Sequence, residues 1–153
     1  MPAPQLLTDL RLRLVDSRAL SIYAVAEGRR RITSGGRAVV LRDLELSSDQ
    51  ANLAQAITIR LLTPKGELTA LAHPDYGCRL HELIGSPNTD TTRNLAKLYV
   101  IEALKQERRV QEVNRVEVTT QPGDRHRINI AIQVLPIDAT GPLDIGPLTL
   151  DLT

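Results

Sequence analysis

The run TDTTRNLAKLYVIEALKQERR, residues 89–109, decides the fold of this chain. Thr89 or Asp90 can cap a helix start by accepting a hydrogen bond from an unpaired backbone N–H. Leu95, Ala96, Leu98, Tyr99, Val100, Ala103 and Leu104 then recur at helical spacing. Ala96, Val100 and Ala103 form one stripe, with steps of four and three. The next position on it is Glu107, followed at once by Arg108 and Arg109. An unpaired carboxylate is costly to bury, so Glu107 is expected to be paired, neutral, or held at a surface that another chain covers. Two readings follow: an intersubunit anchor, or a local helix-end ion pair with Arg108, Arg109 or Arg115.

Beyond this helix the periodicity changes from helical to two. Val116, Val118 and Thr120 share one face, Gln121-Pro122-Gly123-Asp124 turns the chain, and Ile128, Ile130, Ile132 and Val134 return on one face. This predicts an antiparallel hairpin with one apolar side, ended by Pro136. The tail from Ile137 to Thr153 finishes in the alternation Leu148, Leu150, Leu152. It is expected either to add an edge strand to another sheet or to fold back as a terminus.

Upstream of the helix, Leu10, Leu12 and Leu14 alternate as in a half-buried strand. Ala19 to Ala26 reads as strand or helix, and Ala38 to Leu46 as strand. Between them Arg29 to Arg37, with Ser34-Gly35-Gly36, reads as an exposed turn or hairpin tip. Its arginine run is either a solvated loop or a contact to an acidic partner. Ser47, Ser48 and Asp49 can cap a helix over Gln50 to Leu62, with Leu53, Ile57 and Leu61 on one face. Thr63-Pro64-Lys65-Gly66 ends it, Glu67 to Ala72 is expected to be extended, and His73 to Gly77 makes a tight corner plugged by Tyr76. A short helix over Cys78 to Ile84 stops at Gly85. The fold class is therefore α+β, helices packed on a mostly antiparallel sheet, in one domain: a strand-rich arm (1–46), a core (47–135) and a tail (136–153).

Composition narrows the function. The 153 residues include 2% aromatics, with no Trp or Phe, and carry a net charge of +1. Few rings are present to stack on bases or sugars, and no broad field steers a polyanion, which argues against nucleic acid as partner. Cys78 is the sole cysteine, so no intrachain disulfide forms, and a cytosolic origin is the default. No apolar block has the length of a signal peptide or a bilayer span, so membrane insertion is not expected. Cys78, His81 and His73 are too few for a metal or thiol site; a buried cysteine and a surface histidine are expected, and no cofactor. Gly66 and the Ser34-Gly35-Gly36 turn lack the lysine context of a phosphate loop.

The order of parts resembles a known family. A helix ending in Leu61-Leu62-Thr63-Pro64-Lys65-Gly66-Glu67 comes first, then Pro74-Asp75-Tyr76-Gly77-Cys78-Arg79-Leu80 and Asn88-Thr89 opening a longer helix. Glu107-Arg108-Arg109 before a hairpin completes the pattern. Over roughly Gln50 to Val134 this is similar to the lysozyme-like baseplate wedge, or sheath-initiator, proteins of contractile phage tails and related injection machines. That family usually shows Glu-Pro-Arg where this chain has Glu107-Arg108-Arg109. The resemblance implies a structural role: six copies around the tail tube, gripped by larger wedge proteins near Glu107, Arg108 and Arg109, and presenting strands to the first sheath ring through Leu148, Leu150 and Leu152. It places the protein in the baseplate of a virion tail or injection machine assembled in the host or producer cytoplasm.

The name lysozyme raises the alternative of peptidoglycan hydrolysis. That chemistry needs an acid of raised pKa and a second carboxylate about 5–9.5 Å away across a cleft. Among Glu82, Glu102, Glu107 and Glu112 no such pair with sugar-stacking aromatics is apparent, so no enzyme activity is expected.

Overall fold

A computed structural model describes residues 7–15, 22–34, 37–137 and 139–153. The chain divides into two compact units, Met1–Gln55 and Ala56–Thr153. The division falls inside helix α1 (Asp49–Leu62), whereas the sequence pattern placed the arm–core boundary between residues 46 and 47.

The first unit is built from three two-stranded antiparallel pairings. Strand β1 (Thr8–Leu10) pairs with β6 (Leu46–Ser48), β2 (Leu12–Val15) with β3 (Ile22–Val25), and β4 (Glu27–Ser34) with β5 (Arg37–Leu44). Main-chain bonds knit the pairings where their ends meet: Arg11 N–H to the Glu45 carbonyl, Glu45 N–H to that of Ala26, and Ala26 N–H to that of Arg11. The Gln55 side chain extends this knot, accepting from Leu12 N–H and donating to the Leu10 carbonyl, both at 2.8 Å. An amide has one donor and one acceptor side, so it closes onto a strand as a neighbouring peptide would.

One open reading of this unit is decided and another changes. The segment at Ala19 to Ala26 is strand over Ile22–Val25, and residues 19–21 lie outside the described set. The run from Arg29 is no loop: β4 continues through Ser34 and pairs with β5, and Gly35 and Gly36 lie outside the described residues. A two-stranded ribbon pairs through its main chain, so arginine side chains do not prevent it.

In the second unit α2 spans Asp90–Lys105. Thr89 is its N-cap, accepting from Thr92 N–H at 3.2 Å, while the Thr92 hydroxyl reaches the Pro87 carbonyl at 2.7 Å. Ala96, Val100 and Ala103 are buried as the stripe requires. The helix stops earlier than its pattern. Gln106 N–H bonds to the Ala103 carbonyl and Glu107 N–H to that of Leu104, three residues back instead of four, which tightens the chain and turns it toward the sheet.

That sheet has the order β7 (Val110–Thr120), β8 (Arg127–Pro136), β9 (Leu143–Asp151), all antiparallel. The hairpin register pairs Val116 with Ile132, Val118 with Ile130 and Thr120 with Ile128, as the alternation implied. Ile128, Ile130, Ile132 and Val134 are all buried. The tail is the third strand of this same sheet: of its two readings the folded-back terminus is found, and the strand added to another sheet is not. The side of β8 facing away from β7 needs a hydrogen-bonding partner, and the tail supplies one. Leu148 and Leu150 are half-buried and Leu152 is buried, completing the apolar face. Gly146 is required in β9 because a Cβ there would lie 2.8 Å from the Ile130 carbonyl oxygen.

Between α1 and α2 the chain is turns. Glu67 to Ala72, expected to be extended, forms a 3-10 turn over Thr69–Leu71, with the Thr69 hydroxyl bonded back to the Gly66 carbonyl. The helix expected from Cys78 to Ile84 is a 3-10 turn at Leu80–Leu83, preceded by a bridge pairing Pro64 with Cys78. Gly77 permits that bridge, with φ +106° and a position where a Cβ would stand 2.6 Å from the Thr63 carbonyl oxygen. Gly77→Ala is therefore expected to cost about 2–3 kcal/mol, against about 1 kcal/mol for Gly123→Ala, whose site is open; urea denaturation of both variants measures the difference.

Candidate functional site

At the junction of α2 and β7, Glu107 is only 8% exposed, and two arginines surround its carboxylate. Arg109 donates through Nε to Oε1 at 2.8 Å and through Nη2 to Oε2 at 3.3 Å, and its backbone N–H also reaches Oε1. From the last turn of α1, Arg60 brings Nη2 to 3.5 Å from Oε2. The Arg60 guanidinium lies 4.4 Å from the centroid of the Tyr76 ring, a cation–π contact that ties the corner to the same cluster. One carboxylate thus gathers the end of α1, the Tyr76 corner and the start of β7.

The electrostatics are those of a closed ion cluster. Burial pushes the Glu107 pKa up, but the hydrogen bonds and charge of Arg109, aided by the charge of Arg60, outweigh it and leave the carboxyl below its ordinary value. Burial also raises the Tyr76 phenol, so the ring stays neutral beneath the guanidinium. The sequence reading of Glu107 as paired is correct, and its partners lie within the chain. Arg109 is the local partner anticipated; Arg115 instead pairs with Glu117 at 3.0 Å. Arg108 is exposed.

Arg60 is the member that the sequence pattern missed. Its side chain is 12% exposed, and its Nε is buried with no hydrogen-bond partner. The available signal was spacing: Arg60 stands three residues after Ile57, beside the buried stripe of Leu53, Ile57 and Leu61, where a cation calls for a buried acid.

The other carboxylates weighed for chemistry are also engaged. Glu102 accepts from Lys65 at 2.8 Å, and Glu82 takes a two-pronged bond from Arg79 at 2.9 and 2.8 Å. These bonds are the main reason that both carboxyls sit below their ordinary pKa. Glu112 is exposed on β7. Cys78 is buried with its thiol facing the Tyr99 carbonyl at 3.5 Å and its pKa raised by burial, while His81 is exposed.

Alternation fixes which main-chain groups face outward on the sheet. Gln121 N–H bonds to the Arg127 carbonyl and Leu152 N–H to that of His126, so Leu148 and Leu150 turn their main-chain groups toward β8. The outward groups of β9 belong to Thr149 and Asp151. Asp151 is held by the hydroxyl and N–H of Thr153 and by Arg127, which bring its carboxyl down to about 2.

An antiparallel three-stranded sheet, with α2 packed against β7 and the junction between them held by a sealed carboxylate, defines a small α+β protein. The chain belongs to the family of contractile injection system sheath initiators, which matches residues 29–137. It is thus a sheath-initiating component of the baseplate of a contractile injection system. A solved structure from Geobacter sulfurreducens, provisionally described as a tail lysozyme, is similar at 26% identity and a TM-score of 0.57, covering 67% of this chain and 89% of that one. No curated protein matches the chain.

The sign of the Glu107 shift sets a pH dependence. A carboxyl whose folded pKa lies below its unfolded one stabilises the fold above the unfolded value and loses that contribution as pH falls through the folded one. Glu107→Gln is expected to lower stability by about 3 kcal/mol near neutral pH, because it leaves two guanidiniums without their counter-charge. In thermal melts the gap between wild type and variant should hold above about pH 5 and close progressively below about pH 4.

Proposed function

We propose that this protein starts sheath assembly by linking larger baseplate wedge proteins to the first sheath ring, as six copies around the tail tube. Glu107, Arg108 and Arg109 form the wedge anchor, and the β9 strand of Leu148, Leu150 and Leu152 serves the sheath contact. The arm (1–46), core (47–135) and tail (136–153) act together as one baseplate part, assembled in the host or producer cytoplasm. The observation that carries the reading is the exposure of Arg108 beside the closed cluster of Glu107, Arg109 and Arg60. The cluster fixes the backbone of the corner, so Arg108 is offered from a rigid base, which lowers the cost of ordering it on binding. On β9 the leucines hold the strand against β8, and Thr149 and Asp151 turn main-chain donors and acceptors to the outer edge, where an added strand bonds without side-chain specificity.

The role is structural and not enzymatic. A glycosidase acid works from a raised pKa, whereas Glu82, Glu102 and Glu107 are each held low by a neighbouring cation. Purified protein is expected to leave peptidoglycan uncleared; clearing that is lost in Glu107→Gln would establish the hydrolase instead.

Arg108→Glu and Thr149→Pro separate the two contacts. The first reverses an exposed charge, and the second removes one outward N–H while leaving the bonds of Leu148 and Leu150 to β8. Both variants are expected to fold. Arg108→Glu should be missing from baseplates, and Thr149→Pro should enter baseplates that fail to nucleate sheath, both scored by electron microscopy of particles. Normal sheathed tails with either variant would refute the corresponding contact.

A further inference from the structure

The sheet of β7, β8 and β9 has two margins, and the baseplate reading uses one of them. At the other, β7 has a strand neighbour on one side alone among the described residues. The register settles which of its main-chain groups lie open. Gln121 N–H bonds to the Arg127 carbonyl, so residues 117, 119 and 121 turn their main-chain groups toward β8, and Val116, Val118 and Thr120 turn theirs outward. Among the described residues no hydrogen bond reaches the outward groups of Val116 or Val118.

Helix α2 runs beside this margin in the opposite direction, its first half level with Val116 and Val118 and its second half level with Val113. Two cavities lie in line between helix and strand. The first, about 450 Å³, is lined by Asn94 and Lys97 of α2 and by Val116 and Val118. The second, about 370 Å³, is lined by Ile101 and Leu104 of α2 and by Val110 and Val113. Leu98 follows Asn94 by four residues and precedes Ile101 by three, so it shares their side of the helix, and it is 57% exposed.

Charge along the groove is balanced except at one point. Arg93 pairs with Asp90 and Arg115 with Glu117, and Lys105 shares the second cavity with Glu112. Lys97 is exposed and has no ion pair or hydrogen bond among the described residues.

We infer that an extended segment of another baseplate chain adds to the outer margin of β7 as a fourth strand, with a carboxylate against Lys97 and an apolar side chain in the cavity beside Ile101 and Val113. Main-chain bonds to Val116 and Val118 supply affinity, and the two cavities select among the side chains of the added strand. A helix has spent its main-chain groups internally and offers none to this edge. A second copy brings another Lys97 and no spare acid, so an acidic strand is the occupant. The inference rests on the baseplate reading, because the partner is sought within the assembled particle, but its site is the margin opposite β9.

The test compares the free chain with assembled particles. Amide hydrogens in fragments spanning Val116 to Thr120 should exchange at least tenfold more slowly in particles than in the free chain. A carbodiimide, which couples an amine to a carboxylate that it touches, should link Lys97 to an Asp or Glu of another particle protein. Lys97→Arg should keep incorporation and lose that link, whereas Lys97→Glu should reduce incorporation at least tenfold with an unchanged circular dichroism spectrum. Unchanged exchange in particles, links from Lys97 confined to its own chain, or normal incorporation of Lys97→Glu would overturn the proposal and leave the baseplate reading standing. A link from Lys97 to a second copy would overturn it in favour of self-pairing. Absence of the wild-type chain from particles would overturn the baseplate reading and this one with it.

Discussion

The second unit depends on one buried carboxylate satisfied from two directions. Glu107 takes Arg109 from the residue pair that begins the sheet and Arg60 from the end of the preceding helix, so two segments far apart in sequence meet at one charge, and Tyr76 of a third lies against Arg60. Desolvating such a group is expensive, and only the convergence of donors makes burial tolerable. A cluster of this kind adds little net stability compared with an apolar plug, but it penalises every arrangement in which one member is misplaced. It therefore specifies the angle at which α2 hands the chain to β7, and everything downstream inherits that angle.

The sheet shows a related economy. Its central strand β8 is apolar on one face and hydrogen-bonded on both edges, with β7 supplied by the hairpin and β9 by the tail. The C-terminal residues close this arrangement: Leu152 receives the Gly85 N–H on its carbonyl and gives its own N–H to His126. The tail is thus pinned to both the hairpin end and the turn that precedes α2.

Much of this was legible in the sequence where a period could be counted. The α2 stripe, its Thr89 cap, the hairpin register and the pairing of Glu107 follow from spacing and from the cost of burying charge. The family order from Leu61 to Arg109 carried the role. What stayed hidden depends on contacts between segments distant in the chain. Nothing within Leu143 to Asp151 says that β8 lacks a neighbour, so the tail's destination could not be read locally. Spacing sets Arg60 beside the buried stripe of α1, but which acid answers it is settled only when Glu107 is placed there. The arginine run from Arg29 read as a loop because charge suggests solvent, whereas main-chain pairing in a ribbon is indifferent to it. The helix end departs from its pattern for the opposite reason: a stripe continues in the sequence after the hydrogen bonds have shortened.

The outer margin of β9 has a gap in its donors. Pro147 carries no N–H, and the ladder slips between Ile130 and Ile132 opposite Gly146, so no long uninterrupted row of bonds is available there. A continuous margin would let free copies zip onto one another while they wait in the pool of unassembled parts. A broken one makes casual pairing between copies weak, so the interruption guards an edge that no strand covers among the described residues.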